Sequence, residues 1–229
     1  MPHARKTDSR HAQPSLEFAE LRQQMIAEQI GSRGIHDPRV LEAMSRVPRE
    51  EFVPAGLREN AYDDCALPIG LGQTISQPFT VAFMCQAARL QGHETVLEIG
   101  TGSGYGAAVL AELAQRVFTM ERIAPLAEQA RHRLHRLGYD RVTVCTANGT
   151  LGLPEESPFD AIIVTAGAEA LPQAYVDQLA EGGRLLIPLG SRGACQTMYR
   201  MTKQAGHLVV DDLGPFSFVP LIRGQGWPE

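Results

Sequence analysis

Nowhere in the 229 residues is there a run of about 18 apolar residues, and the opening MPHARKTDSRHAQP lacks the apolar stretch of a secretory leader. Membrane spanning and secretion are disfavoured, so the cytoplasm is the expected compartment. A basic surplus is missing too. With 21 Lys and Arg against 26 Asp and Glu, the net charge is -5, and a nucleic-acid backbone is not an expected partner. Cysteine is scarce. Cys65, Cys85, Cys145 and Cys195 are far apart and form no CxxC pair, which predicts buried thiols of a reducing compartment rather than disulfides. No group of His, Cys and carboxylates has zinc-like spacing, so no metal is expected. His132 and His135 sit among Arg131, Arg133 and Arg136, which reads as a solvated basic helix face. A GxSxG elbow is also absent, which leaves no case for a serine hydrolase.

What is present is 44% hydrophobic and 21% charged, the composition of a compact globular chain long enough for one sizeable domain. Residues 1–14 are polar and aperiodic and read as a disordered lead-in; 15–229 read as one domain, divided at 94 and 190. Ser15 can cap a helix with Phe18, Leu21, Met25 and Ile30 on its apolar face, stopped near Gly31 and Gly34. A second helix starts at Asp37-Pro38, carries Val40, Leu41, Met44 and Val47, and closes at Pro48; another is expected to start near Pro78. From residue 95 the pattern becomes strand, glycine turn, helix, strand. Strands are expected at 95–99, 116–121, 142–146, 159–165 and 184–189, with helices near 104–114, 123–137 and 171–180, the last stopped by Gly182-Gly183. CQTMYRM and HLVVDDL flank a Lys203–Gly206 turn and predict antiparallel strands that finish the sheet. The fold class is thus α/β and Rossmann-like, a doubly wound, mostly parallel sheet with N-terminal helices and C-terminal antiparallel strands.

The segment Leu97-Glu98-Ile99-Gly100-Thr101-Gly102-Ser103-Gly104-Tyr105 follows a strand and opens a helix. Missing side chains let a ligand approach the backbone, and the helix start offers free N–H groups. The spacing is GxGxG rather than GxGxxG, and Glu98 would repel a pyrophosphate but suits a cation. S-adenosylmethionine, with its sulfonium and ammonium groups, is such a ligand. Glu121, about twenty residues on at the end of the second strand, can accept from both ribose hydroxyls. Asn148 can accept from an adenine amino group beside the Gly149 backbone, or form an ordinary Asn-Gly turn.

With these residues the chain resembles the protein-L-isoaspartate O-methyltransferase family, from about Met25 to Trp227. The matching stretches are VPREEFVP (47–54), LPIGLGQTISQP (67–78), VLEIGTGSGYGAAVLAEL (96–113), MERI (120–123), TLGLPEESPFDAIIVTA (150–166), EGGRLLIPLG (181–190) and FVPLI (218–222). The resemblance implies a carboxyl O-methyltransferase. It takes a methyl group from S-adenosyl-L-methionine, leaving S-adenosyl-L-homocysteine, and esterifies the free carboxylate of L-isoaspartyl residues in damaged proteins, starting repair through a succinimide. It also implies that Ser76 is the active-site residue. Its hydroxyl suits the chemistry, because an ionised carboxylate needs alignment and exclusion of water rather than a base. Without the resemblance, Ser76 and Thr74 could simply cap the following helix.

Carried over by the same resemblance, the cofactor residues are Thr74, Ile75, Gln77, Glu98, Gly100, Thr101, Gly102, Ser103, Tyr105, Glu121, Arg122, Asn148, Gly149 and Thr165. The acceptor residues are Pro68, Ile69, Gly70, Thr74, Ala166, Val219, Pro220 and Leu221. Two departures stand out: Ala147-Asn148-Gly149 where many members have Gly-Asp-Gly, and Gly167-Ala168-Glu169-Ala170 where a proline is common. Partners are isoaspartyl proteins or peptides, with no membrane or nucleic acid, and the chain is expected to be a monomer. Three other readings stay open at this point: a nicotinamide oxidoreductase, methylation of a small molecule, and a decayed binding module.

Overall fold

A computed structural model describes residues 16–191 and 195–222. The expected cap at Ser15, the segment 1–14 and Trp227 lie outside the described residues.

Helix α1 (Leu16–Gln24) runs into a π-helical stretch at Met25–Ile30 and a short 3-10 turn at Gly31–Arg33. The widened turn has a visible cause. Met25 and Ile30 are both buried, at 1% and 0% exposure, and a five-residue step returns to the same face only when the helix widens to π spacing. Helix α2 (Pro38–Arg46) begins as the sequence predicts: Pro38 supplies a preset φ, and the Asp37 carboxylate accepts from the Arg39 N–H at 2.9 Å. Val47 takes an extended conformation as the helix's C-cap, so the helix stops before Pro48.

Residues 67–75, where no strand was expected, form a short antiparallel hairpin of β1 (Leu67–Gly70) and β2 (Gln73–Ile75). Helix α3 (Pro78–Ala88) follows at once and ends with Arg89 in the left-handed region, φ 52.

The core is a seven-stranded sheet built from β3 (Thr95–Ile99), β4 (Arg116–Glu121), β5 (Val142–Thr146), β6 (Phe159–Val164), β7 (Leu179–Leu189), β8 (Gln196–Gln204) and β9 (His207–Phe216). The spatial order is β5-β4-β3-β6-β7-β8-β9, parallel through β7 and antiparallel beyond it. Between the strands run α4 (Tyr105–Leu113), α5 (Ala124–Arg136) and α6 (Gln173–Gln178). Period-two alternation sends Val96, Val117, Ile163 and Leu186 into one core with α2, α3 and α4. It sends Leu97, Phe118, Ile162 and Leu185 into a second core with Tyr175 of α6. Full burial of each such large side chain stabilises the sheet by about 1.5–3 kcal/mol.

Strands β3, β4 and β5 match their expected bounds, and β6 ends one residue early. The fifth strand departs further. Helix α6 spans only Gln173–Gln178, and β7 begins at Leu179, paired with Phe159. Gly182-Gly183 is therefore not a helix stop. The register shifts between Phe159 and Ala161, and Gly182 has φ +77, so the glycines form an irregularity within one long strand. The last turn is tighter than expected: Ala205 and Gly206 alone join β8 to β9, with Gln204 opposite His207.

Two readings of surface residues need correction. Of the cysteines only Cys85 is buried; Cys65 and Cys195 are exposed, Cys145 is half-buried, and all four are free thiols. Arg133 does not lie on a solvated face. Its Nη1 donates to the Ser103 carbonyl at 2.6 Å and its guanidinium lies 5.9 Å from the Phe52 ring centre, whereas His132 and His135 are exposed beside Glu128 and Asp140. No helix among the described residues is long and apolar enough to cross a membrane.

Candidate active site

The crevice opens at the carboxyl ends of β3, β4 and β6, beside the β3–β6 pair where the strand order reverses and the connections run outward in opposite directions, the position at which open α/β sheets bind ligands. Its floor is the turn from β3 into α4. Gly100 has φ +103, and a Cβ there would sit 2.3 Å from Thr165 Oγ1, so only glycine lets the two strand ends close up. Thr165 in turn donates its hydroxyl toward the carbonyls of Ile99 and Gly100, at 3.0 and 2.8 Å. The turn is tied to β4 as well, because the N–H groups of Gly100 and Thr101 both donate to the Met120 carbonyl.

Two acidic side chains complete this half. Glu121, 7% exposed, accepts from the Gly102 N–H and the Ile123 N–H, each at 2.9 Å, one on each oxygen. Each oxygen keeps a lone pair for a further donor. Glu98, 1% exposed, lies beneath the loop, accepting from the Thr119 hydroxyl at 2.5 Å, while Thr101 and Thr119 lie 2.7 Å apart. Its other oxygen takes the space that a Cβ on residue 106 would need, only 2.3 Å away, which accounts for Gly106 in the first turn of α4. Burial pushes the Glu98 carboxyl up to about 8, against the Thr119 bond, and nearby Glu121 adds to the rise. On the chain's own groups, then, Glu98 is neutral at pH 7. A cation brought near would favour its ionised form.

The other wall is assembled from distant segments. Ser76, between β2 and α3, lines the same cavity as Gly100, Glu121 and Thr165. Among the described residues its hydroxyl makes no hydrogen bond, and α3 has no side-chain cap, so the capping role open to Ser76 and Thr74 is not taken up. Gln77 turns toward the mouth, where its amide donates to the Asp64 carboxylate at 2.8 Å. Asp64 also pairs with Arg33, whose guanidinium lies 3.8 Å from the Phe79 ring centre. The segment 218–222 is anchored to the sheet end by the Gly167 N–H to Val219 carbonyl bond (2.8 Å) and the Leu221 N–H to Gly167 carbonyl bond (2.7 Å). The enclosed volume is about 620 Å³, within the usual range for a small-molecule site.

The structure brings together most of the residues expected from the sequence. Thr74, Ile75, Gln77, Glu98, Gly100, Thr101, Gly102, Ser103, Tyr105, Glu121, Arg122, Gly149 and Thr165 all line the cavity, as do Ala166, Val219, Pro220 and Leu221. Pro68, Ile69 and Gly70 do not. They belong to β1, where Ile69 packs behind the glycine loop, its Cδ1 3.4 Å from a Cβ built on Gly102. Asn148 also stands outside the lining. Its Oδ1 accepts from both the N–H and the hydroxyl of Thr150, at 3.2 and 3.0 Å, capping a short turn at Gly149–Leu151. With both lone pairs taken, that oxygen has none left for an adenine amino group in this rotamer.

Residues that sequence reasoning missed are Arg33, Asp64, Phe79, Gly106, Cys195, Phe216 and Phe218. Gly106 could have been found, as a helical glycine one turn from a buried acid. The others have no local signal, since they reach the mouth only through chain folding.

A glycine turn between two buried carboxylates, at this point of this sheet, defines a methyltransferase of the S-adenosylmethionine-dependent class. The family profile described as protein-L-isoaspartate(D-aspartate) O-methyltransferase matches residues 20–226, and the chain belongs to that family. It is 53% identical over 212 residues to protein-L-isoaspartate O-methyltransferase 1 of Syntrophobacter fumaroxidans, covering 93% of this chain and 99% of that one. A solved protein-L-isoaspartate O-methyltransferase superposes with a TM-score of 0.78 at 30% identity, over 86% of this chain and 65% of that one. A Plasmodium falciparum beta-aspartate methyltransferase, solved in complex with S-adenosyl-L-homocysteine, gives 0.75 at 29% identity, over 87% and 97%.

Proposed function

We propose that this chain methylates the free carboxylate of L-isoaspartyl residues in proteins and peptides, with Ser76 as the residue that orients the acceptor. When bound, S-adenosylmethionine would supply a sulfonium methyl group whose carbon an ionised carboxylate attacks, the new O–C bond replacing the S–C bond and S-adenosyl-L-homocysteine leaving as a neutral thioether, so that no base is needed. Glu121 holds the ribose hydroxyls through the lone pairs left over from its two backbone bonds. The glycine loop admits the rest of the cofactor to the backbone, and Glu98 gains charge as the cation arrives, so that it attracts most strongly when the cofactor is in place. Gly149 offers the backbone beside the adenine, with Asn148 shaping the turn that presents it.

Ser76 carries the acceptor side. A hydroxyl that donates to one carboxylate oxygen leaves the other free to attack and fixes its line of approach, the kind of alignment that accounts for large rate effects. Ala166 and the Val219–Leu221 segment bound the acceptor backbone, and Pro68–Gly70 act indirectly by holding the hairpin against the loop. The observation that carries this reading is the Ser76 hydroxyl, without a hydrogen bond among the described residues, in the same cavity as the glycine loop and Glu121. Small-molecule methylation and a decayed module gain no comparable support, and the GxGxG spacing of the loop opposes a dinucleotide cofactor.

The protein acts as a cytoplasmic monomer in this reading, one folded unit from residue 15 onward. Four free thiols support the compartment, and the exposed large apolar side chains, Leu16, Leu71, Leu151 and the Val209–Val210 pair of β9, lie on four separate elements, which supports the monomer. The function is tested with labelled cofactor and a pair of peptides differing only in an isoaspartyl or an aspartyl residue. Label is expected in a base-labile ester on the isoaspartyl peptide alone; equal labelling of both, or of neither, would sink the proposal.

A further inference from the structure

Among the described residues, Arg49 is one of the largest side chains to be wholly buried, at 0% exposure. Its Nε donates to the Ala61 carbonyl at 2.7 Å, and its Nη2 donates to the Ser76 carbonyl at 2.8 Å. The guanidinium carbon lies over the ring of Tyr105, 4.7 Å from its centre, and Tyr105 is the first residue of α4 after the glycine loop. Nη1 has no hydrogen-bond partner. The carboxylate next to it in sequence, Glu50, is engaged by Arg22 and Tyr62, and among the described residues no carboxylate pairs with Arg49. A buried cation with no counter-ion is among the costliest arrangements in a protein interior, and burial lowers its pKa accordingly.

What the guanidinium offers in return is geometry. One rigid plane reaches a carbonyl twelve residues away and another twenty-seven residues away, and lies over an aromatic ring. A lysine ammonium has neither the fork nor the face. Tyr105 fixes the cofactor side and Ser76 the acceptor side, so this one side chain sets the register between them. Its bond to the Ser76 backbone leaves the Ser76 hydroxyl free.

We propose that Arg49 is a positioning residue for methyl transfer: it holds the Ser76 backbone against the start of α4, so that the acceptor-orienting hydroxyl faces the cofactor loop in register. The proposal rests on the reading of Ser76 given above. It requires that Arg49 act through Ser76 and not through general stability.

The test is a double-mutant cycle on the full chain with R49K, S76A and R49K/S76A. It measures kcat and KM for an isoaspartyl peptide, the affinity for S-adenosyl-L-homocysteine by calorimetry, and the melting temperature. R49K is expected to lower kcat at least tenfold while homocysteine-product affinity stays within threefold, and the double variant is expected to be no slower than S76A alone. Multiplying penalties in the double variant, a parallel fall in product affinity, or wild-type turnover in R49K each overturn the proposal. If R49K does not fold, R49Q, which keeps one donor for the Ser76 carbonyl, takes its place in the cycle; failure of both to fold assigns the residue a structural role only. Wild-type turnover in S76A would sink the reading of Ser76 and this inference with it, whereas an intact S76A effect with additive Arg49 losses sinks the inference alone.

Discussion

The two sides of the cavity are built on different principles. The proposed cofactor side is one contiguous run, β3, glycine turn and α4, closed by the end of β4, and its carboxylate bonds all lie within about 25 residues of Glu98, with longer ties only from such residues as Thr165 and Arg133. The acceptor side gathers Asp64, Ser76, Phe79, Ala166 and Val219 from four separate stretches of chain. The first is locked by backbone N–H bonds to the Glu121 carboxylate and to the Met120 carbonyl. The second hangs on a few long-range ties, of which Gly167 to the 219–221 segment and Arg49 to Ser76 are the clearest. Binding of the cofactor and handling of the acceptor are therefore expected to respond to different substitutions.

The largest effect on the cofactor side is expected from Glu121→Ala. The variant loses the ribose acceptor and also strands the N–H groups of Gly102 and Ile123. Calorimetry should show S-adenosyl-L-homocysteine binding weakened by about 1.5–3 kcal/mol, with the melting temperature lowered as well. Unchanged affinity would place the ribose elsewhere and break the division between the two sides.

Glu98→Gln separates burial from charge. In the folded chain the Glu98 carboxyl is raised from its ordinary 4.5 to about 8, so between those values the folded state keeps a proton that the unfolded state has released. Its contribution to stability is fully present below about pH 4.5 and is lost as pH rises through about 8. Glutamine does not titrate. The melting temperature of Glu98→Gln relative to wild type should therefore climb from pH 5 to pH 8 and level off above it, by roughly 2–4 °C per kcal/mol for a chain of this length. A gap that does not vary with pH would mean that Glu98 ionises normally where it lies.

The smallest effect is expected at Asn148→Asp. Its oxygen caps the turn in either form, so cofactor affinity should change by about 1 kcal/mol or less and turnover at saturating cofactor hardly at all. A larger gain would show that the side chain swings out of the turn to meet the adenine.

The same contrast explains what could be read from the sequence. Val96, Leu97 and Ile99, followed by glycines, state a strand and its turn locally, and the step to Glu121 follows from the length of one helix and one strand, so the strand–turn–helix frame of the proposed cofactor side was legible. The errors there were of rotamer and direction. Asn148 turned inward to Thr150, and Gly182-Gly183 lay within a strand whose pairing with Phe159 no local pattern announces. On the acceptor side only the resemblance pointed to Ser76 and the Val219–Leu221 segment. Arg33, Asp64 and Phe79 went unseen because a cation stacked on a ring 46 positions along the chain leaves no periodic trace. Arg133 misled for a related reason: its neighbours on α5 are solvated, but its own reach ends at the glycine loop.

Ser76→Ala is the most direct test of the division between the two sides, through one pair of measurements on the same preparation. The account predicts that S-adenosyl-L-homocysteine affinity by calorimetry stays within threefold of wild type, while single-turnover methylation of an isoaspartyl peptide falls at least about tenfold. Turnover at the wild-type rate, or affinity and turnover falling together, would contradict it.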